Sequence, residues 1–206
     1  MQLTSAAYQQ GTEIPVRFTC EGDNISPAFS WRDAPGETKS FALIIHDPDA
    51  PRAGGFTHWV LYNIPGAART VQENVPKDKH LPEVGTQGRN DADEVGYMGP
   101  CPPSGTHRYY ARLFALDSVL TIPPGANHEE LTEAMEGHIL ARAELMGKYA
   151  KKAEHAAEAG ELPASENKDH GSTLIFREAF GRRLSRPSHQ AGAGNTRRQE
   201  YEFLGA

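Results

Sequence analysis

Between Gly99 and Gly105 the chain sets Pro100, Pro102 and Pro103 among glycines, directly ahead of His107 and a strand-like aromatic run. Proline fixes φ and removes a backbone donor, while glycine permits close approaches and backbone angles closed to other residues. A segment built this way is a stiff, shaped loop, and it predicts that His107 and nearby amides are held in fixed positions. Asp47-Pro48-Asp49-Ala50-Pro51 follows the same logic, with two carboxylates on a proline-locked turn. Between the two segments, His58 opens an apolar run that continues to Pro65. Three rigid segments carrying Asp, His and His point to one small polar pocket.

The first 150 residues are mostly strand by pattern. Phe41–Ile45 is a short apolar run between polar turns, as in a strand buried on both faces. Trp59–Ile64 is another, and Tyr109–Leu116 is aromatic-rich and follows the proline loop. Arg17–Cys20 and Ala28–Trp31 are shorter candidates. Helix is expected only late. Asn127 and Glu130 form a capping-box variant, and Leu131, Met135 and Ile139 make one apolar stripe. Gly137 divides this run, giving a helix to about Glu136, a second over Ile139–Leu145, and Gly147 as its stop. From Lys151 to the C-terminus the chain is charged, alanine-rich and then Arg/Ser/Gly-rich, with Leu174–Phe180 its one apolar cluster. That composition predicts disorder for 151–206 and a folded domain over 1–150.

Charge divides along the same line. Residues 1–150 hold 12 Lys+Arg against 19 Asp+Glu, a net of −7, and 151–206 hold 9 against 8, a net of +1. An acidic body argues against nucleic acid as a partner, because duplex affinity is dominated by phosphate neutralisation. No apolar run reaches the roughly 20 residues of a membrane helix, and Met1–Ser5 lacks the basic-then-apolar order of a secretory signal. With two cysteines, Cys20 and Cys101, the expectation is a pair of reduced thiols in a cytoplasmic protein, a bond between the two being the alternative.

The Asp47–Pro51 box and the box Gly99-Pro100-Cys101-Pro102-Pro103-Ser104-Gly105-Thr106-His107-Arg108-Tyr109 resemble the phosphatidylethanolamine-binding protein family in its bacterial branch. Ile25–Trp31 and Tyr110–Asp117 support the match, which runs from about Leu3 to Tyr149. The resemblance implies a mainly β fold, a Greek-key β-sandwich with a few peripheral helices. It implies a cavity for phosphate-like head groups, lined by Asp47, His58, Cys101, Pro102, His107 and Tyr109. Asp49, Pro51 and Arg108 would support it, with Arg108 facing away and pairing with an acid. Three departures stand out: Met98 where glycine is common, Ala92-Asp93 in place of an aromatic-glycine pair, and the long tail.

The chemistry is consistent with an anion site. Successive turn amides form anion-binding nests, and histidines donate N–H bonds in the right tautomer. Taken without the resemblance, an Asp before Pro is common in turns, and a lone histidine opening a strand is more often a core residue. The leading expectation is a small-ligand or anion-binding protein without metal, cofactor or catalytic residues. Its partner is a small anionic ligand, kinase inhibition is a family label, and a protein partner or homodimer stays open. The alternative is a hydrolase using Asp47, His58, His107 and Cys101, through a Cys–His nucleophilic pair or a metal site.

Overall fold

The structure, a computed structural model, describes residues 1–152. Its strands are β1 (Gln2–Ser5), β2 (Phe29–Arg32), β3 (Ser40–Asp47), β4 (Phe56–Pro65), β5 (Thr70–Val71), β6 (His80–Leu81), β7 (Gly85–Gln87), β8 (His107–Leu116) and β9 (Ile139–Tyr149). One α-helix, α1 (His128–Met135), and one 3-10 turn, Val16–Phe18, complete the regular elements among the described residues. Strands β1, β2 and β5 form a small antiparallel sheet, and β6-β7-β4-β3-β8-β9 form a large one. In the large sheet β8 returns beside β3 after β4 and β7, which is the Greek-key order expected from the sequence.

All eight residues of β3 are buried, and alternation explains why. Phe41, Leu43 and Ile45 enter the core between the sheets, where they meet Phe29, Trp31, Trp59 and Leu113. Ala42 and Ile44 point the other way, into a second cluster sealed by Leu131 and Met135 of α1. The helix begins as its sequence predicts: the Asn127 side chain accepts from the Glu130 amide, and Glu130 accepts from the Asn127 amide. It stops before Gly137, which takes φ +79°.

Two local expectations are overturned. Residues 139–145 are not helix but the first part of β9, paired with β8 from His107↔Tyr149 to Leu116↔Ile139. The segment is rich in good helix formers, yet β8 needs a partner on its open edge, and tertiary pairing outweighs propensity. Period-two burial was present: Leu145, Gly147 and Tyr149 are buried, and residues 144 and 148 are exposed. Gly147 is therefore no helix stop. A Cβ there would stand 2.6 Å from Ile14 Cγ1, so the glycine lets the N-terminal segment close against the strand. Likewise Arg17–Cys20 is not a strand. Pro15 leads into the 3-10 turn, Phe18 is buried, and the Thr19 hydroxyl closes the turn on the Val16 carbonyl.

The cysteines are the third correction. Cys20 and Cys101, 81 positions apart, form a disulfide with a Cα–Cα separation of 5.4 Å. Their loops lie side by side through other bonds. The Cys20 amide donates to Pro100 O at 3.1 Å, the Gly99 amide to Asn24 Oδ1 at 2.7 Å, and the Tyr97 hydroxyl to Phe18 O at 2.7 Å. The bond removes the reduced-thiol argument for a cytoplasmic location. The expected disorder of 151–206 and the Leu174–Phe180 cluster lie, past Lys152, outside the described residues.

Two outcomes follow from this packing. Serine at both positions 20 and 101 is expected to lower the unfolding free energy by about 2–4 kcal/mol in denaturant titration; an unchanged midpoint would make the bond energetically idle. Because the described members of both apolar clusters lie within 1–149, a chain ended at Lys152 is expected to melt within a few degrees of the full chain. Insoluble expression of the shortened chain would show that the tail is needed for folding.

Candidate ligand-binding site

The site lies where the burial of β3 and β4 ends in polar residues. The pairing of these strands steps from Ile45↔Trp59 to His46↔Thr57, so His58 is an extra residue without an opposite number. This bulge sets the geometry. Trp59 belongs to the core between the sheets, and simple alternation would send His58 to the opposite face. The extra residue instead leaves His58 on the side of Asp47 and Tyr109, while Thr57 faces His46 on the reverse side. Bulges re-aim side chains beside functional sites in this way.

Each group is then fixed by a neighbour. His58 Nδ1 lies 2.8 Å from the Met98 carbonyl. A carbonyl only accepts, so the ring carries its proton on Nδ1, and a neutral His58 has a bare lone pair at Nε2. Burial pushes the His58 pKa down to about 4, with only partial opposition from the Met98 bond and the Asp47 charge. His107 Nδ1 lies 2.7 Å from Asp47 Oδ2 and donates to it, which leaves Nε2 as that ring's free nitrogen. Asp47 Oδ1 accepts the Asp49 amide at 2.8 Å, so this carboxylate closes its own turn while orienting His107. The Tyr109 hydroxyl is buried without a well-formed hydrogen bond, although the Asp47 carboxylate is close enough to raise its pKa further above the effect of burial.

Asp49 and Arg108 lie outside this cluster. Arg108 alternates outward from His107 and grips Asp49 in a fork, Nε to Oδ2 at 2.8 Å and Nη2 to Oδ1 at 2.6 Å. The Arg108 amide adds a third bond to Asp49 Oδ2 at 2.9 Å. These bonds hold the Asp49 carboxyl down at about 2. The pair clamps the Asp-Pro turn onto the start of β8, and with it the Asp47–His107 contact.

Asp47, Pro51, His58, Cys101, Pro102, His107 and Tyr109 border one cavity of about 260 Å³. With Cys101 Sγ committed to the disulfide, the Cys–His form of the hydrolase alternative lacks a free thiol. Among the described residues no three His, Cys, Asp or Glu groups are arranged to hold a metal ion. Sequence reasoning missed Arg52 and Phe56. The Phe56 ring lies 4.8 Å from that of His58, and the Arg52 guanidinium sits 5.8 Å above Phe56. The signal was their nearness to His58, but only the bulge shows that they share its side. Also missed was a second recess of about 530 Å³ on the reverse face of the large sheet. There Thr57 Oγ1 lies 3.3 Å from His46 Nδ1 and 2.9 Å from His128 Nδ1.

The molecule is a two-sheet sandwich with a small cavity at its strand ends. The family model for phosphatidylethanolamine-binding proteins matches residues 4–150, and the chain belongs to that family. A UPF0098 protein of Methanothermobacter thermautotrophicus is 53% identical over 149 residues, covering 72% of this chain and 98% of the relative. One from Aquifex aeolicus is 48% identical over 154 residues, covering 72% and 88%. Among solved structures, a putative phosphatidylethanolamine-binding protein homologue of Chlamydia trachomatis is 44% identical with a TM-score of 0.67, covering 73% of this chain and 97% of that one. E. coli YbcL, described as a new member of the mammalian family, is 33% identical with a TM-score of 0.68, covering 73% and 98%.

The depressed His58 pKa has a measurable consequence. An unfolded histidine titrates near pH 6.5, so on acidification the unfolded chain takes up this proton before the folded one does. The stabilising contribution is full above pH 6.5 and is lost as pH falls towards the folded value of about 4. By linkage the loss approaches roughly 3 kcal/mol. Burial also lowers the pKa values of His46 and His128, which adds to the slope. Denaturant titrations from pH 7.5 to 4 should show this decline, and His58→Gln should flatten part of it. An unaltered slope in the variant would mean that His58 titrates normally.

Proposed function

We propose that the chain is a small-ligand-binding protein whose cavity takes a phosphate-like head group that also carries hydrogen-bond donors of its own. The observation that carries this reading is the mismatch of donors and acceptors around the cavity. Tyr109 brings a hydroxyl without a well-formed bond, whereas neutral His58 and His107 bring bare Nε2 atoms and Asp47 a carboxylate. An anion alone would meet the Arg52 guanidinium and the Tyr109 hydroxyl as donors, but several acceptors as well. A zwitterionic head group fits better: its phosphate oxygens meet the tyrosine hydroxyl and whichever imidazole is protonated, and its ammonium N–H groups meet the remaining acceptors. The cavity volume of about 260 Å³ suits a head group rather than a whole lipid. Family membership supports ligand binding as the general activity.

Protonation follows in sign. A bound phosphate favours the imidazolium and raises its pKa in the complex, so affinity falls as pH rises through the bound-state value. Each unit of upward shift is about tenfold in affinity. The experiment is calorimetry between pH 5.5 and 8.5 with two phosphodiesters, glycerophosphoethanolamine and glycerophosphocholine. At pH 7.5 the first, with ammonium protons to donate, is expected to bind about tenfold tighter, since a hydrogen bond to a charged group contributes about 1.5–3 kcal/mol. Tyr109→Phe and His107→Ala should each weaken it. Equal affinity for both diesters, flat with pH and unmoved by either substitution, would sink the reading.

A further inference from the structure

Strand β9 is an edge of the large sheet, and the described residues cover only half of that edge. The Met146 carbonyl accepts the Gly11 amide at 2.7 Å, the Lys148 amide donates to Thr12 O at 2.9 Å, and the Lys148 carbonyl accepts the Ile14 amide at 2.8 Å. Even-numbered residues of this stretch therefore turn their backbone groups away from β8. By the two-residue period of a strand, Arg142 and Glu144 do the same, and their outward amides and carbonyls make no hydrogen bond among the described residues. Two of the three large apolar side chains most exposed among the described residues, Ile139 at 46% and Leu140 at 39%, sit on this stretch. Ile139–Leu145 holds neither a proline nor an inward charge, and its one irregularity is the bulge at Leu140.

We propose that this edge docks a second copy of the chain, whose own β9 adds antiparallel about a two-fold axis at Ala143, joining two large sheets into one. The side chains decide the register. With Ala143 facing its own counterpart, Arg142 lies opposite the other copy's Glu144, and Glu144 opposite its Arg142. The Arg142–Glu144 exchange is complementary to itself when reversed, and the Gln10–Gly11 segment bonded to Met146 confines the contact to the residues around Ala143. On the inner face the opposed residues are small or apolar, Ala143 against Ala143 and Ala141 against Leu145. The backbone forms hydrogen-bonded pairs at Arg142 and Glu144, about four bonds across the axis. A register shifted to centre on Arg142 would oppose two guanidinium groups and is disfavoured. Arg142 has no ion pair among the described residues, while Glu144 already accepts Arg112 Nε at 2.8 Å and would bridge both arginines. From Met146 onward the segment around Gly11–Ile14 occupies the edge, which limits the contact to the free half.

The test is sedimentation velocity on the full chain at micromolar concentrations. Wild type is expected at twice the 22.5 kDa chain mass. R142E places two acids opposite each other, E144R places two arginines, and each variant alone is expected at the single-chain mass with its thermal midpoint near wild type. An equimolar mixture of the two restores opposite charges at both positions, and the double mass should return. A wild-type chain that sediments as a monomer overturns the proposal, whatever else fills the edge. So does a dimer that neither substitution disturbs, because its contact then lies elsewhere.

Discussion

Strand β3 has no exposed residue from Ser40 to Asp47, and most of the architecture answers that demand. A strand buried on both faces needs a layer on each side. The small β1-β2-β5 sheet and α1 provide them, so Phe41, Leu43 and Ile45 are sealed by one and Ala42 and Ile44 by the other. It also needs a neighbour on each edge, and β4 and β8 supply these along nearly the whole strand. Burial on this scale leaves polar groups tolerable only where the strand ends. There His46 and Asp47 emerge back to back, one towards the recess under α1 and one towards the cavity.

The cavity is held rigid from three directions. The Asp49–Arg108 fork joins the Asp-Pro turn to β8, the Met98 carbonyl fixes the His58 ring, and the disulfide ties the proline loop to the segment around Cys20. Pre-organisation of this kind reduces the ordering cost that binding would otherwise carry. It also settles chemistry that rigidity alone would not. Because Met98 O and Asp47 both claim Nδ1 protons, the two rings carry lone pairs rather than N–H groups at Nε2 when neutral. The tautomer of each neutral ring is thus set by its partner rather than by its identity.

The edges of the large sheet are treated unequally. At β9 the N-terminal segment covers one half through Met146 and Lys148, and Gly147 permits the close approach that this requires. The other half carries exposed Ile139 and Leu140 beside a charge pattern complementary to its own reverse. The cavity and the half of β9 that the described residues leave open therefore both depend on β8, which presents His107 and Tyr109 at one end and pairs with Ile139–Leu145 at the other.

Much of this was legible in the chain. The runs Phe41–Ile45, Trp59–Ile64 and Tyr109–Leu116 marked the three central strands, because burial on both faces leaves a continuous apolar signature. Asn127 and Glu130 marked the start of α1, because capping is local chemistry. The two proline boxes marked the loops around the cavity, because proline and glycine restrict the backbone whatever surrounds them. What the tertiary structure alone decided depended on residues far apart in sequence. Ile139–Leu145 became strand because β8 had an open edge to fill, against a composition that favours helix. Cys20 and Cys101 met because hydrogen bonds from Tyr97 and Gly99 bring their loops together. His58 faces the cavity because the register between β3 and β4 slips by one residue, and register is a property of the pair of strands, absent from either one alone.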